Sequence, residues 1–184
     1  AKEVSKKPLR HMSTLESQRF FEEDQKLILK GAGVQIDTEL ASGIVKKLAH
    51  IPKAFALFDD VLPVLNTLKS DDFLLGLLTN NEGNIDKLCE GLGLSNLMNV
   101  AINAEEIGRG KPFPDIFLEA MRRVNVEPYQ TIYIGDQYHT DVKGALNAGI
   151  VPILLDRDCI NRDFKLCVRI EKLNDIFDVL SNLS

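Results

Sequence analysis

Five polar residues stand directly after apolar runs or in a loop between them: Thr79 and Asn80 after LLGLL, Lys111 in GRGKPFP, and Asp136 and Asp141 after IYIG. A hydroxyl and backbone amides donate to phosphate oxygens, and an ammonium neutralises their charge. Two carboxylates offer the hard oxygen ligands that a magnesium ion takes while keeping part of its water shell. Together these are the parts of a phosphate site with its divalent metal. Taken singly, each has a plainer reading. Thr-Asn after a strand makes a turn, a Lys before Pro is solvated, and an isolated Asp pair caps a turn and a helix.

These residues need strands ending on one rim. Thr131 to Ile134 is short, apolar and rich in strand formers, and Gly135 lets the chain turn at its carboxyl end. Asp141 is expected to open a helix whose Gly144, Ala145 and Ala148 allow close packing and which stops at Gly149. Upstream, Asp59 or Asp60 is expected to cap a helix through Leu68 that feeds a buried strand from Phe73 to Leu78. A helix over Ile85 to Leu92, a short strand at Val100 to Ile102, a loop and a helix through Met121 follow. A strand at Val151 to Leu155 completes the alternation, and a tail strand at Val168 to Ile170 with a helix through Leu180 extends or pads it. Such an order calls for an α/β fold with a parallel sheet covered on both faces, where ligands sit at the carboxyl ends of the strands. Before it, Ser13 and Glu16 in capping-box spacing and Asp37 start two helices whose apolar stripes need a partner surface.

With 184 residues, 45% of them hydrophobic, the chain has material for one core and an appendage. Its 22 basic and 27 acidic residues give a net charge of -5 without a long basic run, which argues against nucleic acid and against an anionic membrane as partner. No apolar run approaches a membrane span. The start is charged, without a following hydrophobic stretch. Cys89, Cys159 and Cys167 lack metal-ligand spacing and read as reduced, buried thiols of a cytoplasmic protein.

In order, LLTN at Leu77 to Asn80, GKPFPDIF around Lys111 and GDQYHTD from Gly135 to Asp141 resemble the second, third and fourth motifs of the haloacid dehalogenase superfamily of hydrolases, chiefly phosphatases. The resemblance runs from about Phe58 to Leu155. It implies a Rossmannoid core over 56–184 and part of a small helical cap over 1–55. By it, Thr79 and the amide of Asn80 hold a substrate phosphate, Lys111 bridges phosphate and nucleophile, Asp136 binds Mg2+, and Asp141 supports Lys111 and the metal. The implied substrate is a small phosphorylated compound, hydrolysed through an aspartyl-phosphate. The GDxxxxD form sets the chain apart from the metal-independent dehalogenases, a less favoured alternative.

The family's first motif, Asp-x-Asp-x-Thr after an amino-terminal strand, does not occur in this sequence. Asp59 and Asp60 are adjacent and precede a helix; Asp156 and Asp158 in LLDRD follow the wrong strand. The resemblance puts the missing strand at the sheet centre, between those ending at Thr79 and Asp136. The expectation is therefore a fragment, inactive alone, whose two edges re-pair or receive a strand from the missing amino-terminal segment of the full-length protein. The alternative is a phosphate-binding pseudoenzyme with a regulatory role.

Overall fold

The computed structural model describes residues 43, 55–81 and 83–182. The chain divides into two units, residues 1–54 and 55–184. The helices expected near Ser13 and after Asp37 lie outside the described residues.

The second unit alternates helices and parallel strands. Helix α1 (Val61–Ser70) leads into β1 (Gly76–Thr79), followed by α2 (Ile85–Gly91) and β2 (Val100–Asn103). Helices α3 (Ala104–Ile107) and α4 (Asp115–Val124) precede β3 (Ile132–Gly135). A π-helical turn (Tyr138–Val142) runs into α5 (Lys143–Asn147), then come β4 (Val151–Leu155), β5 (Val168–Ile170) and α6 (Ile176–Ser181). This is the α/β architecture of parallel strands with flanking helices that the alternation predicts.

The strands form two parallel sheets, β1-β2 and β3-β4-β5. Strands β1 and β3 do not pair, so direct re-pairing of the two edges does not occur among the described residues. The sheets are instead held through side chains on both faces. On one, Leu78, Val100, Ile102 and Tyr133 pack with Ile116, Phe117 and Met121 of α4 and Ala145 of α5. On the other, Ile132, Ile134, Ile153 and Ile170 pack with Val64 and Leu68 of α1 and Ile176 of α6. The period-two alternation of β3 thus sends its isoleucines to one core and Tyr133 to the other.

Several local expectations need correction. Asp60 precedes α1 but makes no side-chain cap. Its carboxylate receives both guanidinium nitrogens of Arg157 at 2.9 Å and the Leu173 amide at 2.9 Å, a charge-assisted fork that outcompetes a local cap. The first strand begins at Gly76 rather than Phe73, because its pairing with β2 starts at Val100; Asp72 in the turn after α1 adopts φ 61, and Phe73 and Leu74 are exposed. Asp141 stands in the first turn of the helical segment, at its amino end as expected, although that segment already begins at Tyr138. The sequence reading missed α3, although Asn103 and Glu106 stand in capping spacing and the Asn103 side chain accepts from the Glu106 amide at 2.9 Å. All three cysteines are free, but only Cys89 is buried; Cys159 and Cys167 are partly exposed. No helix among the described residues is long and apolar enough to cross a membrane.

Candidate active site

Lys111 occupies the rim where the two sheets approach each other. Its ammonium donates to the Leu78 carbonyl of β1 at 3.2 Å and to the Tyr133 hydroxyl of β3 at 2.8 Å. It also pairs with Asp141 Oδ1 at 2.8 Å. Both side chains of that ion pair are buried, Lys111 12% and Asp141 5% exposed. An ammonium has three N–H bonds, and here three oxygens crowd around them, two as hydrogen-bond acceptors and one as the opposite charge. Burial pulls the Lys111 value down, but the Tyr133 and Asp141 oxygens outweigh it and hold the ammonium above its ordinary value. Burial pushes the Tyr133 phenol up to about 12, against the opposing pull of Lys111. The pair is therefore a cation beside a neutral phenol through the physiological range.

Each partner is itself positioned. Asn80 clamps the Lys111 backbone, its Oδ1 accepting from Lys111 N at 2.8 Å and its Nδ2 donating to Lys111 O at 2.9 Å. The close approach of Gly110 makes this possible, since a Cβ there would stand 2.6 Å from Asn80 Oδ1. Asp141 Oδ2 accepts the Gln137 amide at 2.9 Å, and the Tyr133 hydroxyl donates to Oδ1 over a longer 3.4 Å. Gly135 does not supply a left-handed turn. It is needed because a Cβ at that position would lie 2.4 Å from Asp141 Cβ. The Tyr133 ring is fixed edge-on against Phe117, centroids 4.8 Å apart at 77°.

The structure thus brings Lys111 and Asp141 into direct contact and joins Asn80 to Lys111. Thr79 ends β1, where its hydroxyl accepts the Asn81 amide at 3.0 Å, the turn that its sequence allows. Thr79 and Asn81 also line a cavity of about 190 Å³ with Phe55, Asn84, Ile85 and Asn103. Asp136 is exposed, just beyond β3. The sequence reading missed Tyr133 and the Asn80 side chain. Tyr133 was legible in principle, because it shares strand parity with Gly135 and so faces away from Ile132 and Ile134.

The chemistry of the donor set decides how far these residues fit magnesium. Asp136 is a carboxylate free at the rim, which suits an ion that takes one or two protein carboxylates and completes its shell with water and phosphate oxygens. Asp141 is already committed to Lys111 and the Gln137 amide, and fits better as the group that holds the lysine. No cluster of three or more metal-ligating side chains occurs among the described residues. The loop after β4 holds no competing site. Asp156 accepts the Ile160 and Asn161 amides at 3.1 and 2.9 Å and pairs with Arg169 at 3.0 Å, which makes it a loop anchor.

Parallel strands flanked by helices, with the polar residues gathered at the strand ends, define an α/β core of the Rossmannoid kind. Among solved structures, a 2-haloacid dehalogenase from Pseudomonas syringae superposes with a TM-score of 0.66 at 27% identity, covering 96% of this chain and 74% of its own. The model of the haloacid dehalogenase-like hydrolases matches residues 1–154, and the chain belongs to that family. The match also takes in the residues before Phe58, beyond the reach of the three motifs. A glyceraldehyde 3-phosphate phosphatase from Methanopyrus kandleri is 31% identical over 169 residues, 86% of this chain and 71% of that protein. A phosphoglycolate phosphatase from Colwellia psychrerythraea is 33% identical over 132 residues, 66% of this chain and 58% of that protein. Two further relatives are spanned over only 45% and 50% of their length.

Proposed function

We propose that this chain carries the phosphate-holding half of a magnesium-dependent phosphatase acting on a small phosphate ester. The buried Lys111–Asp141 pair, placed at the rim beside Thr79 and Asn80, is the observation that carries this reading. Thr79 and the Asn80 amide hold the phosphate, Lys111 neutralises its oxygens, Asp141 holds Lys111, and Asp136 takes the magnesium. That ion, when bound, supplies further neutralisation of phosphate charge. The names of the phosphatase relatives support a small phosphorylated substrate. The cavity beside Thr79, whose described lining residues carry no charge, suits an uncharged remainder of the ester.

The reading extends to the rest of the chain as proposals. Residues 1–55 contribute part of a helical cap, 56–184 form the core, and the protein works in the cytoplasm. The nucleophile that would form an aspartyl-phosphate has no counterpart among the 184 residues, so the chain alone binds phosphate without turning it over. A strand bearing it would occupy the space between the edges of β1 and β3, which are unpaired among the described residues. The same absence favours the second reading, a non-catalytic phosphate-binding module.

One experiment separates them. An amino-terminal segment bearing Asp-x-Asp-x-Thr is joined to the chain and phosphate release is followed with and without magnesium. Magnesium-dependent release that falls at least tenfold in Asp136→Asn is expected of the phosphatase. Phosphate binding without release in every version favours the module, and release unchanged in Asp136→Asn refutes the assignment of the metal.

A further inference from the structure

Lys111 presents a difficulty for any phosphate site, because three oxygens already surround its ammonium: Leu78 O and Tyr133 OH accept its hydrogen bonds and Asp141 Oδ1 pairs with its charge. A phosphate oxygen can receive a proton from this ammonium only by displacing one partner. The three differ in what their loss leaves behind. Releasing Asp141 separates two buried opposite charges, which is the most costly choice. Releasing Leu78 leaves a backbone carbonyl unpaired on the edge of β1, where no strand pairs among the described residues. Tyr133 is different. Its hydroxyl can give up the Lys111 proton and still donate to Asp141 Oδ1, now 3.4 Å away, without leaving its place between Phe117 and the rim.

We propose that Tyr133 is a positioning residue that gates Lys111: its hydroxyl occupies the ammonium in the empty site and is the partner exchanged when phosphate enters. The inference rests on the reading of this rim as a phosphate cradle and adds to it a residue outside the three motifs. The gate has a counter-intuitive consequence. Removing the hydroxyl frees one N–H of a buried ammonium, so Tyr133→Phe should bind phosphate more tightly than the native chain. The bond exchanged has an ionised donor, and a hydrogen bond of that kind corresponds to about ten- to hundredfold in affinity. Damage to the structure would act in the opposite direction.

The test is calorimetric titration of the full chain with inorganic phosphate at a fixed magnesium concentration, for the native protein, Tyr133→Phe and Lys111→Met. Expected are a dissociation constant about tenfold or more tighter in Tyr133→Phe and a loss of at least tenfold in Lys111→Met. Equal or weaker binding in a folded Tyr133→Phe, with Lys111→Met still impaired, overturns the gate and leaves the cradle standing. Native-like binding in Lys111→Met, or no binding by the native chain, overturns both. A second measurement serves if Tyr133→Phe unfolds. With the tyrosine ring carbons labelled in the native chain, the Tyr133 Cζ resonance should shift along the phosphate isotherm, and a resonance that stays fixed through saturation refutes the exchange.

Discussion

Replacing Gly135 by alanine tests how the site is held in place. The new methyl would stand 2.4 Å from Asp141 Cβ, 2.5 Å from Cγ and 2.7 Å from Oδ2, distances at which something must move. Asp141 has little freedom to do so. Its amide donates to Gln137 O at 2.8 Å, its Oδ2 accepts the Gln137 amide at 2.9 Å, and its Oδ1 holds Lys111 at 2.8 Å. Forcing extra volume into such packing costs about 1 to 3 kcal/mol. Loosening a buried hydrogen bond to a charged group adds about 1.5 to 3 kcal/mol. We expect a combined destabilisation of about 3 to 6 kcal/mol in urea unfolding, and a midpoint lowered by about 9 to 18 °C at roughly 3 °C per kcal/mol for a chain of this size. If the methyl acts through the ion pair, its cost should shrink when Lys111→Met has already removed that pair. A Gly135→Ala chain within about 0.5 kcal/mol of the native one, the range of an ordinary surface change, would refute the argument. So would costs that add fully with Lys111→Met.

Two further perturbations follow from the same geometry. Asn80→Ala removes both hydrogen bonds to the Lys111 backbone at an exposed position, so stability should fall by only about 1 kcal/mol while phosphate affinity falls at least tenfold; calorimetry beside urea unfolding separates the two. The Arg157 fork holds the Asp60 carboxyl below its ordinary value of 3.8. Burial raises Asp156, but the Asn161 and Arg169 donors outweigh it and leave that carboxyl depressed as well. A depressed carboxylate stabilises the fold above its unfolded value and loses that contribution as pH falls through the folded one. Stability should therefore hold above about pH 4 and decline below it, and Asp60→Asn should flatten part of that decline in urea melts; a profile identical to the native one would contradict the role given to the fork.

The sequence by itself determined the order of elements, because apolar strands and amphipathic helices write their periods locally. It also carried the ordered set Thr79, Asn80, Lys111, Asp136 and Asp141, by which the chain resembles the family whose model matches residues 1–154. What it left undecided were the interactions between distant residues. Asp60 looks like a cap until Arg157, 97 positions away, takes its carboxylate. Gly135 looks like a turn glycine until Asp141 closes against it. Tyr133 looks like one more apolar strand residue until strand parity turns its hydroxyl toward Lys111. The packed chain alone shows that, among the described residues, the parallel strands split between β1 and β3 and that one lysine answers to both halves. The reason is physical: propensity is set by neighbours in sequence, whereas the partner of a buried charge is set by whichever oxygen the packed chain brings within about 3 Å.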